Sequence, residues 1–168
     1  IVSSSISTSE DKTDKFLPLL FYWKYDHRFN SSLNPAIPGT YFSNAVNSVS
    51  TKALSDKLNG RKLELTLQQV PSAFSLVVKE NLIWLVYAFG WVRVYIEPDM
   101  KDLVVSYKLL EADKVLKTGT ITVKNTEKKG DSRVFNAWRS ATSEYLSEYN
   151  SNFTNMTKTL VNSLMQEL

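Results

Sequence analysis

A chain of 168 residues, 43% of them hydrophobic, is long enough to close one well-formed core and short for two, so a single domain is expected. Twenty Lys and Arg against seventeen Asp and Glu leave a net charge of +3, too slight and too evenly balanced to mark a nucleic-acid-binding surface. The absence of cysteine excludes disulfides, thiol nucleophiles and thiolate metal sites, and favours the cytosol or a bacterial envelope over a eukaryotic secretory route.

The first fifteen residues, IVSSSISTSEDKTDK, are Ser/Thr-rich and then charged, with no apolar period. They read as a flexible polar lead-in (1–15) to one domain (16–168), and lack the basic start and apolar run of a signal peptide. Such a tether is the layout of a mature lipoprotein acylated upstream of Ile1; an ordinary flexible terminus reads the same way.

From Phe16 to Asn30, Phe21, Trp23, Tyr25, His27 and Phe29 alternate with Tyr22, Lys24, Asp26 and Arg28, the period of a strand with one buried face. Pro18 cannot donate to a ladder, so pairing should begin after it or lie at an edge. Two prolines and a glycine mark Ser31 to Thr40 as a loop. Over Tyr41 to Leu58, Phe42, Ala45, Val46, Val49, Ala53 and Leu54 recur at helical spacing, and Asn59-Gly60 supplies the stop. Arg61 to Val70 alternates Leu63, Leu65 and Leu67 with Glu64, Thr66 and Gln68, a strand ended or bent by Pro71. A short apolar run, Phe74 to Val78, follows.

The most apolar stretch is Leu82 to Ile96, fifteen residues with one charge, Arg93, and one glycine, Gly90. It falls short of the roughly 20 residues of a membrane-spanning helix. Val92, Val94 and Ile96 alternate with Trp91, Arg93 and Tyr95, so the second half is a strand. Leu82 to Phe89 fits a strand or a short helix, with Gly90 as a bulge or turn between the halves. The run has three uses: a buried central strand pair, a wall of a ligand cavity, or an exposed aromatic surface for a protein or lipid partner, formed by Trp84, Tyr87, Phe89, Trp91 and Tyr95.

Asp102 to Leu110 and Val115 to Lys124 alternate around the short polar Glu111 to Lys114, which predicts a hairpin. Ser132 to Leu168 contains no Gly or Pro and repeats Val134, Trp138, Ala141, Tyr145, Tyr149, Phe153, Met156, Leu160 and Leu164 at steps of three or four. This predicts one long amphipathic helix, capped by Asp131 or Ser132 and with room for a kink at Asn150 to Asn155. The fold class is therefore α+β: a mostly antiparallel sheet of about five or six strands, one helix after the first strand and a long C-terminal helix on one face.

Little chemistry stands out. His27 is the one histidine, and Asp26, its neighbour on a strand, points to the opposite face and does not orient it as a base. Glu97, Asp99 and Asp102 match no calcium loop and read as a solvated turn. Lys79-Glu80 and Lys124 to Lys129 mix signs and read as loop tips, and the isolated glycines form no phosphate loop. Asn30, Asn152 and Asn155 stand in sequons, which an Asn- and Ser-rich chain produces by chance. No catalytic residue, metal or cofactor is assigned, and no enzyme is expected.

The strand FYWKYDHRF followed by a helix, the hairpin DLVVSYKLLEADKVLKTGTITVKN and the closing helix, all behind a polar lead-in, resemble small bacterial envelope lipoproteins. The likeness is to the auxiliary lipoproteins of ABC transporters and the α/β domain of curli-secretion lipoproteins. It implies a non-enzymatic protein of the periplasm or outer membrane, lipid-anchored upstream of Ile1, that binds a protein or lipid partner; no functional residue carries over. A cytoplasmic location is the alternative to that address. The alternative function is a carrier of lipid or a small apolar ligand, with a cavity between sheet and C-terminal helix.

Overall fold

The computed structural model describes residues 2–9, 21–49, 52–84, 86–134 and 136–168, the first of these by backbone alone. Pro18 and the start of the first predicted strand lie outside the described residues. The elements run β1 (Val2–Ser9), β2 (Phe21–Ser32), α1 (Ala36–Val49), α2 (Lys52–Leu58), β3 (Lys62–Gln69), β4 (Ala73–Trp84), β5 (Ala88–Pro98), β6 (Leu103–Glu111), β7 (Lys114–Val123), β8 (Arg133–Val134) and α3 (Trp138–Glu167). The class is α+β with every strand pairing antiparallel, and the strands divide between two sheets rather than forming one. Two compact units share the chain: Ile1–Leu33, Ala73–Asp99 and Lys128–Glu148 in the first, Asn34–Ser72, Met100–Glu127 and Tyr149–Leu168 in the second.

The first unit is built on the sheet β1-β2-β4-β5-β8. Val2–Ser9, read from composition as lead-in, pairs along β2 as its edge strand. The β2–β4 and β4–β5 ladders run without a register shift, from Ser32↔Ala73 to Phe21↔Trp84 and from Phe74↔Pro98 to Trp84↔Ala88. The apolar run is thus one hairpin. Its turn falls between Trp84 and Ala88, and Gly90 pairs regularly with Leu82 instead of forming a bulge. Alternation puts Phe21, Trp23, Leu82 and Trp84 on one face, the aromatic face, and Tyr22, Lys24, Asp26, Lys79, Phe89, Trp91, Arg93 and Tyr95 on the other, the charged face. On the aromatic face the sheet is covered near its base, where Tyr145 of α3 meets Phe74 with ring centroids 4.8 Å apart. Phe74, Val94 and Ile96 are buried there, whereas the β2 aromatics, expected to be buried, are only half-buried.

The second unit holds α1, α2, the sheet β3-β6-β7 and the remainder of α3. Central β6 buries Leu103, Val105, Tyr107 and Leu109, and β7 adds Ile121 and Val123. The predicted hairpin is present, closed at Ala112 and Asp113, both in the left-handed region (φ 45° and 63°) that a tight two-residue turn demands. Tyr149, Phe153, Met156, Leu160, Val161 and Leu164 bury the stripe of α3. Tyr149 donates a buried 2.7 Å hydrogen bond to the Pro71 carbonyl, and Thr157 satisfies its hydroxyl on the Phe153 carbonyl, 2.9 Å away.

Two boundaries differ from the sequence expectation for identifiable reasons. Part of Ser31 to Thr40 is helix: the Asn34 side chain accepts from the Ala36 amide at 3.0 Å, an N-cap that leaves Pro35 in the first helical position, where its missing N–H costs nothing. Within the helical segment expected over Tyr41 to Leu58 the described residues form α1 up to Val49 and α2 from Lys52, and α2 stops as anticipated at Asn59 and Gly60, both at positive φ. At the other end, Arg133 and Val134 pair with Val94 and Arg93 of β5, so α3 starts at Trp138 and not at Ser132; it then runs through Asn150 to Asn155 without interruption. Among the described residues no helix is long and apolar enough to cross a membrane.

Candidate functional site

The far end of the β4–β5 hairpin carries the most unusual surface in the first unit. Five of the ten large hydrophobic side chains exposed among the described residues fall within eight positions: Leu82 (38%), Trp84 (51%), Val86 (76%), Tyr87 (73%) and Phe89 (64%). Exposing this much contiguous apolar area costs solubility, so a soluble surface rarely tolerates it without use. β2 supports the tip. Phe21 stacks on Trp23 at 5.6 Å and reaches Trp84 at 6.4 Å on the aromatic face; Tyr22 lies 6.5 Å from Trp91 on the charged face and donates to Asn81 Oδ1 at 2.6 Å.

The five aromatic residues singled out from the sequence therefore separate. Trp84, Tyr87 and Phe89 are exposed at the tip, and Trp91 is half-buried beside Tyr22. Tyr95 is 3% exposed and does not belong to any surface: it lies nearer the base of the hairpin, with the Lys129 ammonium 4.3 Å from its ring centroid. Alternation could not separate these residues, because position along the hairpin decides their burial. Leu82 and Val86 were missed, as was the part played by Phe21, Tyr22 and Trp23; the three consecutive aromatics were the available signal. Trp84 and Tyr87 face solvent and do not line a cavity.

Behind the tip on the charged face sits a set of cations. Asp26 Oδ2 is shared by Lys79 at 3.3 Å and Lys24 at 3.8 Å, and Arg93 is exposed with no ion-pair partner among the described residues. Burial opposes the charge on Lys79, but hydrogen bonds with Asp26 and Tyr95 outweigh it and hold the ammonium above its usual range. His27 is on the opposite face from Asp26, as alternation required.

A second feature of this unit is a cleft of about 340 Å³ lined by Arg28, Asn30, Ser75, Glu97 and Asp99, among others. Glu97 accepts from Arg28 and Lys129, each at 2.6 Å. Burial works against its ionisation, yet the two cations prevail and hold the carboxyl below its ordinary 4.5. Ser75 donates to Asn30 Oδ1 at 2.7 Å, and the Asp99 amide donates to the Ala73 carbonyl at 2.8 Å. In the second unit Asp102 Oδ1 accepts from the Asn125 amide at 2.9 Å. Glu97 is neutralised by cations, so the cleft is a structural ion-pair site. Among the described residues no three His, Asp or Glu side chains gather as a metal centre would need.

The ion-pair reading has a pH consequence. A depressed folded-state pKa means stability that is present above the unfolded value near 4.5 and lost as pH falls through the lower folded value. Glu97→Gln should destabilise at neutral pH by up to about 1 kcal/mol, kept small by solvent around Arg28 and Lys129, and the difference from wild type should shrink on acidification below the unfolded value. Melting temperature against pH for both proteins checks this; a difference independent of pH would refute it.

No family model, curated protein or solved structure matches the chain.

Proposed function

We propose that the chain is a non-enzymatic, envelope-associated binding protein that docks to its partner through the tip of the β4–β5 hairpin. The observation that carries this reading is the exposure of Trp84, Val86, Tyr87 and Phe89 at the end of a regularly paired hairpin. Trp and Tyr offer a large apolar body with a polar handle, the combination favoured where one side of a contact is dry and the other wet. The envelope address rests on the cysteine-free composition and on the lipoprotein-like layout of strand, helix, hairpin and closing helix.

The test is a photo-cross-linking comparison in bacterial cells. A benzophenone-bearing phenylalanine in place of Tyr87 should yield adducts, with protein or with lipid, several-fold more strongly than the same probe in place of exposed Ser143 on α3. Equal labelling from the two positions, or none from position 87, would remove the hairpin tip as the docking surface.

A further inference from the structure

Among the described residues, the tip differs from a protein-docking patch in being apolar on both faces. Trp84 and Leu82 project from the aromatic face, Phe89 from the charged face, and Val86 and Tyr87 extend beyond the last paired residues. A partner protein seats one face of a hairpin; an apolar fluid contacts every side. The side-chain types also change in a fixed order along the strands. From Leu82 to Val92 there is no charge. Tyr22, Trp23 and Trp91, aromatic rings with polar handles, occupy the three rows behind the Trp84–Ala88 row; Lys24 shares the Trp91 row, and Asp26, Lys79 and Arg93 form the row two steps further. At about 3.4 Å per residue, the three steps from the Trp84–Ala88 row to the Asn81–Trp91 row span about 10 Å, which matches the depth of about 5–10 Å to which interfacial segments bury in a bilayer. Among the described residues of these rows, Lys24, Lys79 and Arg93 outnumber Asp26 by two on the charged face, where lipid phosphates would lie, and Glu80 projects from the aromatic face.

We infer that the occupant of the tip is the surface of an anionic phospholipid bilayer. Val86, Tyr87, Phe89 and Trp84 immerse at the headgroup–acyl boundary, and Lys24, Lys79 and Arg93 engage the phosphate layer. This assignment rests on the tip being a docking surface and names what it docks to.

Vesicle co-sedimentation of the whole chain tests it, using phosphatidylcholine alone and phosphatidylcholine with one-third phosphatidylglycerol. Binding should favour the anionic vesicles by about tenfold or more and weaken as salt is raised. Val86→Ser with Phe89→Ser should lower it on both vesicle types by about tenfold, since two exposed apolar anchors are lost. Lys24→Gln with Arg93→Gln should lower it on the anionic vesicles alone. Unchanged thermal melts verify that each variant is folded. Absence of binding to either vesicle, or equal binding by wild type and the Val86/Phe89 variant, overturns the lipid assignment. The docking reading fails separately: protein adducts at position 87 without vesicle binding would sink the lipid surface and keep the tip as a docking site, whereas no adduct there would sink both.

Discussion

Gly119→Ala is expected to destabilise the protein, although alanine ordinarily improves a strand position. Removing glycine's freedom from the unfolded chain favours folding by about 0.4–1 kcal/mol where the backbone accepts a side chain. Here an added Cβ would lie 2.6 Å from Cε1 of Tyr107 and 2.7 Å from its Cζ and hydroxyl oxygen, well inside contact distance. Tyr107 pairs directly with Gly119 across the β6–β7 ladder, is 1% exposed, and donates its hydroxyl proton to the Glu167 carboxylate. That hydrogen bond, with burial, pushes the phenol pKa up to about 12, so the anchor holds across the physiological range. With the ring fixed at both ends, overpacking of about 1–3 kcal/mol should exceed the entropic gain. Urea unfolding should show a lower midpoint for Gly119→Ala, and most of that loss should vanish when Tyr107→Val removes the ring. An unchanged midpoint in the single variant would mean that the ring moves freely.

Phe153→Ala should have the largest effect on stability of any substitution considered. The side chain is 1% exposed in the buried stripe of α3 and stacks on Tyr149 with centroids 5.6 Å apart, so truncation removes transfer free energy and leaves a cavity among Tyr149, Met156 and their neighbours. Losses of about 3–5 kcal/mol accompany such truncations, a large share of a domain's stability of about 5–15 kcal/mol. The informative control is Trp84→Ser. An equally drastic change at an exposed tip residue should leave the melting temperature nearly untouched, within about 0.5 kcal/mol. If Trp84→Ser proved as damaging as Phe153→Ala, the tip would be a structural element and no longer a surface.

How much could be read from residues alone varied with how local the governing interaction is. The stripe of α3 was readable because Tyr145, Tyr149, Phe153, Met156, Leu160 and Leu164 repeat at the helical period, and the β6–β7 hairpin because two alternating segments flank a short polar turn. Asn59-Gly60 stopped α2 where its φ preferences demand. Other features depend on partners distant in sequence. Arg133 and Val134 became a strand because β5 offered free backbone groups. The Ser/Thr-rich Val2–Ser9 has Val2, Ile6 and Thr8 at alternate positions but no aromatic residue, too sparse an apolar pattern to flag a strand, and it pairs along β2. The aromatic run was recognised as a surface candidate, yet only the ladder from Phe74↔Pro98 to Trp84↔Ala88 shows that Tyr95 lies towards the base and Phe89 at the tip.

The interleaving of segments also bears on the order in which the protein can form. Each unit is assembled from three separated stretches, and the second needs Tyr149–Leu168 to supply Phe153, Leu160 and Leu164 to its core. During synthesis the β6–β7 hairpin can close early, because its pairing is local, but the core of that unit lacks the α3 side chains until Tyr149–Leu168 has been made. The final turns of α3 are therefore the step that commits the second unit to its native core, and chains that stop short of them would leave Leu103, Val105 and Leu109 exposed.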